Sequence, residues 1–219
     1  MTAASALEQE SIEGWIAPVL PLALLEAVQA HDRPGEVLEE DDPMLSLPGR
    51  LGLTGVVFTQ IRRYEAAVRE NRRVPLGEVV SLLALVQRRP DAEAVFRDTG
   101  ERITRGRVRA PRPLARRALT VLPNALRSIS LRRATRRLLR GLGGEGEIEV
   151  ASRLRGLRAD PLVVRLTRSP TARAGEAACT VFTGALDELI RVYGGPNNPV
   201  THDRCRARGE EVCEWRVTR

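Results

Sequence analysis

The chain contains no lysine: all 35 of its Lys/Arg-type basic residues are arginine. That uniformity reflects a compositional bias across the whole protein, so the net charge of +7 is not by itself a signature of nucleic-acid binding. Aromatic residues make up only 3% of the chain, so its core must be built mainly from Leu, Val, Ala and Ile, which the 42% apolar content permits. No apolar run approaches the roughly 18 residues that a membrane span requires. The longest, Ile16 to Val28, is interrupted by Pro18, Pro21 and Glu26. Glu8, Glu10 and Glu13 stand where an export signal carries positive charge, so no signal is read. Three cysteines are an odd number, which suits a disulfide framework poorly and a reducing cytoplasm better. Also missing are Gly-x-Ser-x-Gly, His-Glu-x-x-His and a phosphate loop. The glycines at 141, 143 and 144 follow a helical stretch and stop it; they do not open a helix as a dinucleotide fingerprint does.

The first hundred residues read as helices. Trp15 to His31 is one, with His31 as a cap at its C-terminal end, where imidazolium suits the dipole. The acidic, proline-punctuated stretch from Asp32 to Pro48 reads as a loop. In Thr54 to Asn71, Val57, Ile61, Tyr64 and Val68 recur at helical steps. Pro75 and Pro90 each open a further helix, the latter expected to end near Gly100 or Gly106. Leu114 to Leu142 then reads as one long helix or two. After it the pattern changes to short β-branched runs at Ile148–Val150 and Leu162–Leu166, a helix over Thr171–Tyr193, and two strands, Val200–Arg206 and Val212–Val217. The order calls for an α+β fold with an antiparallel sheet and helices on one face. It divides into an N-terminal helical region, 1–104, and a C-terminal α/β domain, 105–219.

All three cysteines and one of the two histidines fall in the last 41 residues: Cys179, His202, Cys205 and Cys213. Three Cys and one His make a closed tetrahedral zinc shell. His202 and Cys205 are three apart, so a regular strand would point them to opposite faces, and a bulge or a frayed strand end must bring both to one ion. Cys205 and Cys213 face each other across a glycine-containing turn. Cys179 approaches from the start of the preceding helix, where thiolate is favoured. The competing interpretation is inert burial, the commonest fate of a free cysteine.

The series Ala177-Ala178-Cys179, Gly184, Tyr193-Gly194-Gly195 and His202-x2-Cys205-x3-Gly209-x3-Cys213-x-Trp215 resembles the 4-vinyl reductase-like domain. It is most similar to the sensory domain of phenol-responsive bacterial activators, in which a helix-borne Cys and a Glu-x2-Cys-x7-Cys tail bind zinc. Here His202 replaces the glutamate, and imidazole is also a zinc ligand. The resemblance covers about residues 110–219. It implies a fold related to vesicle-tethering (TRAPP-type) subunits and haem nitric-oxide-associated domains, often dimeric, with an apolar pocket between sheet and helices for an apolar or aromatic small molecule. Leu126, Ile129, Leu154, Val164, Val181 and Phe182 are the residues expected to line it. The function implied is a non-enzymatic sensory or regulatory domain with a structural zinc. The alternatives are a protein-interaction module using the N-terminal helices and, last, an accessory in tetrapyrrole metabolism, for which no acid/base pair is visible.

Charge is unevenly distributed. Residues 101–150 hold 13 Arg against 4 acidic residues, while residues 1–100 hold 10 against 16. In Arg127–Arg140 the arginines at 132, 133, 136, 137 and 140 fall on about one helical face. This pattern fits a solvated face, an anionic ligand or an acidic partner. The absence of stacking aromatics argues against nucleic acid.

Overall fold

A computed structural model describes residues 14–32, 54–107, 124–140, 142, 148–151, 154–155, 158–159, 162–193 and 198–217. The protein is α+β, as its sequence pattern calls for. Helix α1 (Val19–His31) buries Leu20, Ala23, Leu24, Leu25 and Ala27. The two-residue strand β1 (Trp15–Ile16) before it pairs with β2 (Val74–Pro75). Between them lies α2 (Thr54–Arg69), whose Ile61 and Tyr64 face inward. Helix α3 (Leu76–Val86) starts directly after Pro75, and α4 (Ala92–Arg107) follows a short turn.

Helix α4 does not stop at Gly100, because that glycine serves the packing of the helix and not its end. A methyl group there would lie 2.0 Å from the Val181 carbonyl oxygen, on a helix 80 residues downstream. That partner is α7 (Thr180–Tyr193), whose Gly184 in turn sits so close to α4 that a Cβ would meet the Arg97 carbonyl oxygen at 2.2 Å. Two helices whose glycines face each other's backbone approach more closely than side chains would permit. The contact is reinforced by the Thr104 hydroxyl donating to the Ala185 carbonyl (2.9 Å) and by Arg97 paired with Asp187 (2.9 Å). The predicted boundary at 104/105 falls inside α4, and the buried side chains of both regions form one hydrophobic cluster.

Helix α5 (Asn124–Leu139) carries Leu131, Thr135, Leu138 and Leu139 on its buried side. After it come β3 (Ile148–Ala151), the small hairpin β4 (Leu154–Arg155) and β5 (Arg158–Ala159), and β6 (Leu162–Leu166). The chain then forms a short helix, α6 (Pro170–Ala174), a 3-10 turn (Ala177–Cys179), α7, and the terminal strands β7 (Val200–Arg204) and β8 (Cys213–Val217). The four-stranded sheet is antiparallel in the order β3-β6-β8-β7. The single helix expected over 171–193 is broken at Gly175, whose φ of +137° ends α6. One face of β8 puts Cys213, Trp215 and Val217 into the core. The other holds Glu214 between Arg165 (2.6 Å) and Arg216 (3.2 Å). Among the described residues no helix is long and apolar enough to cross a membrane.

Candidate metal centre

Three local devices deliver the four side chains. The first is the break at Gly175, which lets the chain turn back before α7 and leaves Cys179 at the end of the 3-10 turn. The turn is pinned by the Ala178 amide donating to Gln87 Oε1 (3.2 Å) and the Cys179 amide donating to the Glu176 carbonyl (2.9 Å). The second is a bulge in β7. His202 pairs with Trp215 and Arg204 with Glu214, so Asp203 is the extra residue, and the alternation of faces shifts between the histidine and Cys205. The three-residue spacing demanded such an irregularity. The third is the turn from β7 to β8. Cys205 is still extended, a 3-10 turn spans Arg206–Arg208, and Gly209 takes the left-handed conformation at φ +93°. The Cys205 carbonyl accepts from the amides of Arg208 (3.0 Å) and Glu210 (3.2 Å), which closes the turn.

The result is one cluster. A donor atom from each of Cys179, His202, Cys205 and Cys213 lies within 4.8 Å of every other. The three cysteines are free and buried. Cys179 Sγ and Cys205 Sγ stand 3.8 Å apart. A tetrahedral ion with Zn–S bonds of about 2.3 Å sets its sulfurs about 3.8 Å apart, so this spacing needs no rearrangement to take the metal. His202 Nε2 is buried with no hydrogen-bond partner among the described residues. A buried, unpartnered ring nitrogen costs free energy unless something binds it, and a cation beside three sulfurs would satisfy it. Its ring lies flat on Trp215.

The surroundings suit thiolates. The Arg206 amide points at Cys213 Sγ (3.4 Å), and the Thr171 hydroxyl donates to Cys179 Sγ (3.4 Å). Among themselves the three thiols form a network with one preferred anion. Hydrogen bonds from Cys179 and then Cys213 hold Cys205 far below the usual thiol range. Cys179 is pushed far up, chiefly by its hydrogen bond to Cys205. Cys213 is lowered by its bond with Cys179 but raised more by Cys205 and by burial, and is left at about 11. Three thiols so placed compete for one negative charge, whereas a divalent cation lets all three ionise together. Three sulfurs and one imidazole in a four-coordinate cluster fit zinc by donor type.

The six residues expected to line an apolar pocket are distributed otherwise. Val164, Val181 and Phe182 are fully buried in the core beneath the sheet, Phe182 with its ring against Trp215 (5.1 Å). Ile129 is 38% exposed on α5. The side chains of Leu126 and Leu154 lie outside the described residues. A cleft of about 530 Å³ does lie beside the metal cluster, and its walls are mostly polar: Gln87, Glu93, Arg97, Glu176, Thr180 and His202 are among them. No local motif announces it, because its walls come from Gln87 just after α3, from α4, from the turn before α7, from α7 and from β7, more than a hundred residues apart. The role of Trp215 had a visible signal: it lies two residues beyond Cys213, hence on the same face of the strand.

Comparison of the chain with protein-family models, with curated proteins and with solved structures found no match.

Proposed function

We propose that this protein is a non-enzymatic regulatory domain of the 4-vinyl reductase-like type, which binds a small molecule and is clamped by a structural zinc. The zinc is held by Cys179, His202, Cys205 and Cys213. The observation that carries the reading is the convergence of four protein donors within 4.8 Å, three of them buried sulfurs. Four protein ligands leave no open position for water or substrate, so such an ion supports the fold and does not activate a reactant. It ties the turn ahead of α7 to both arms of the terminal hairpin, and that turn and the β7 arm line part of the polar cleft beside His202. That cleft is where a ligand would sense, or be sensed through, the clamped hairpin. Zinc thiolates belong in a reducing compartment, here the cytoplasm.

A second reading, an assembly or protein-interaction module, is favoured by one observation. Val164, Val181 and Phe182, which should have lined an apolar ligand pocket, are used up in the core.

The test is elemental analysis of untagged protein together with native mass spectrometry. One zinc per chain is expected, with extra mass from a small molecule if the sensory reading holds. One zinc with no ligand under any growth condition favours the assembly module. No metal and three freely titrating thiols would overturn both.

A further inference from the structure

Among the exposed charges of the described residues, most arginines are matched by acidic partners: Arg63 by Glu78, Arg97 by Asp187, Arg204 by Glu210. Helix α5 concentrates the exceptions on one face. Arg133, Arg136, Arg137 and Arg140 are all exposed, and none pairs with an acid among the described residues. Their spacing of three, four and seven puts them within an arc of about 100° at 3.6 residues per turn. Leu131, Leu138 and Leu139 occupy the opposite side and are buried. Arg132 departs from the grouping that spacing alone suggests, since its Nε is buried away from solvent. Arg107, from the end of α4, extends the exposed strip by donating to the Arg140 carbonyl (3.3 Å).

We infer that this face of α5 binds the phosphodiester backbone of duplex nucleic acid, without reading its sequence. Three arguments select this partner. First, the strip from Arg133 to Arg140 is about 10 Å long at 1.5 Å per residue. Over that length one strand of a duplex presents about three phosphates, at 3.4 Å per phosphate along the axis, so charge density on the two sides matches. Second, guanidinium is suited to bidentate contact with phosphate oxygens. Third, the other polyanions need what this face lacks. A helix that lies on an anionic membrane inserts an apolar side, and the apolar side of α5 is already in the core. A protein interface is centred on buried apolar anchors, and among the described side chains of α5 Ile129 is the one large apolar residue exposed. The absence of aromatic residues from this helix excludes base stacking, not contact with the backbone.

The experiment is fluorescence anisotropy of the full chain with a labelled 20-base-pair DNA duplex of arbitrary sequence between 50 and 200 mM salt. Three phosphate contacts give a log–log slope of about −2.7, which is roughly a fortyfold loss of affinity across that range. The triple variant Arg133→Gln, Arg136→Gln, Arg137→Gln should reduce the slope to about −1, with an unchanged circular dichroism spectrum and zinc content. The control removes the same charge elsewhere, at three other exposed arginines that pair with no acid among the described residues: Arg62→Gln, Arg73→Gln, Arg88→Gln. It should bind as the unsubstituted chain does. No binding at 50 mM salt overturns the inference, as does an equal loss in the control, which would mean diffuse net charge. Equal or tighter binding to polyglutamate or to phosphatidylserine vesicles would also overturn it, in favour of an acidic protein or a membrane.

Discussion

The imidazole of His202 lies flat against the indole of Trp215, with ring centroids 4.6 Å apart and planes 6° from parallel. The indole is in turn fixed by its N–H, which donates to the Thr183 hydroxyl at 3.1 Å, and by the tilted ring of Phe182, 5.1 Å away. His202, a proposed zinc ligand, is thereby oriented by a ring that is itself anchored to α7. Trp215→Leu should cost about 3 kcal/mol or more in stability from lost packing, and should also weaken zinc binding by freeing the imidazole. Trp215→Phe retains a ring beneath the histidine and should keep stoichiometric zinc. Chemical denaturation with parallel metal analysis separates the two.

Cys213→Ala should abolish stoichiometric zinc and strongly lower the melting temperature of the C-terminal half. The loss removes a ligand from a site whose binding free energy is folding free energy. Undiminished zinc and an unchanged melting curve would end the metal reading.

His202→Glu should retain one zinc per chain, because carboxylate oxygen is also an accepted zinc ligand. His202→Ala should retain zinc more weakly and exchange it faster, as read by competition with a chromophoric chelator. Identical exchange in the two variants would remove His202 from the ligand set.

Gly100→Ala forces a methyl group to within 2.0 Å of the Val181 carbonyl oxygen and should destabilise by about 3 kcal/mol or more. Gly106→Ala, in the same helix with nothing within 4 Å of the new carbon, should instead stabilise by about 0.5–1 kcal/mol. Equal effects in urea denaturation would refute the close crossing of α4 and α7.

The Tyr64 hydroxyl donates to Glu78, and its pKa is raised above the ordinary tyrosine value, by burial first and by this hydrogen bond second. Its contribution is therefore fully present below about pH 10, the value in the unfolded chain, and is lost as pH rises through the folded value. Tyr64→Phe should be less stable by about 1–2 kcal/mol at neutral pH, and the gap to the unsubstituted protein should narrow above pH 10 in alkaline denaturation curves.

The metal cluster was legible because its grammar is local and sparse. With three cysteines in the chain, spacing alone groups Cys205 and Cys213, and the three-residue step from His202 forces the bulge found at Asp203. The antiparallel sheet was legible from β-branched runs separated by turns. The break at Gly175 was not, since a lone glycine within a helical pattern reads equally as a tolerated interior residue. Nor was the meeting of Gly100 with Val181, or the polar cleft, because both join residues far apart in sequence with no shared period. The basic stretch was visible as composition. Only the structure separates Arg132, whose Nε is buried, from the four exposed arginines that pair with no acid among the described residues.

Among the described residues, β8 follows every other strand in sequence yet lies inside the sheet, between β6 and β7. On a ribosome, β6 must therefore wait roughly 50 residues for its neighbour, an interval of about 3–10 s at 5–20 residues per second. Until then the inner edge of the β3–β6 hairpin is open to mispairing, and the metal set lacks Cys213. With the proposed zinc site, metal capture and closure of the sheet become a single event, and scarcity of the metal should appear in the cell as aggregation of newly made chains before it appears as loss of any mature activity.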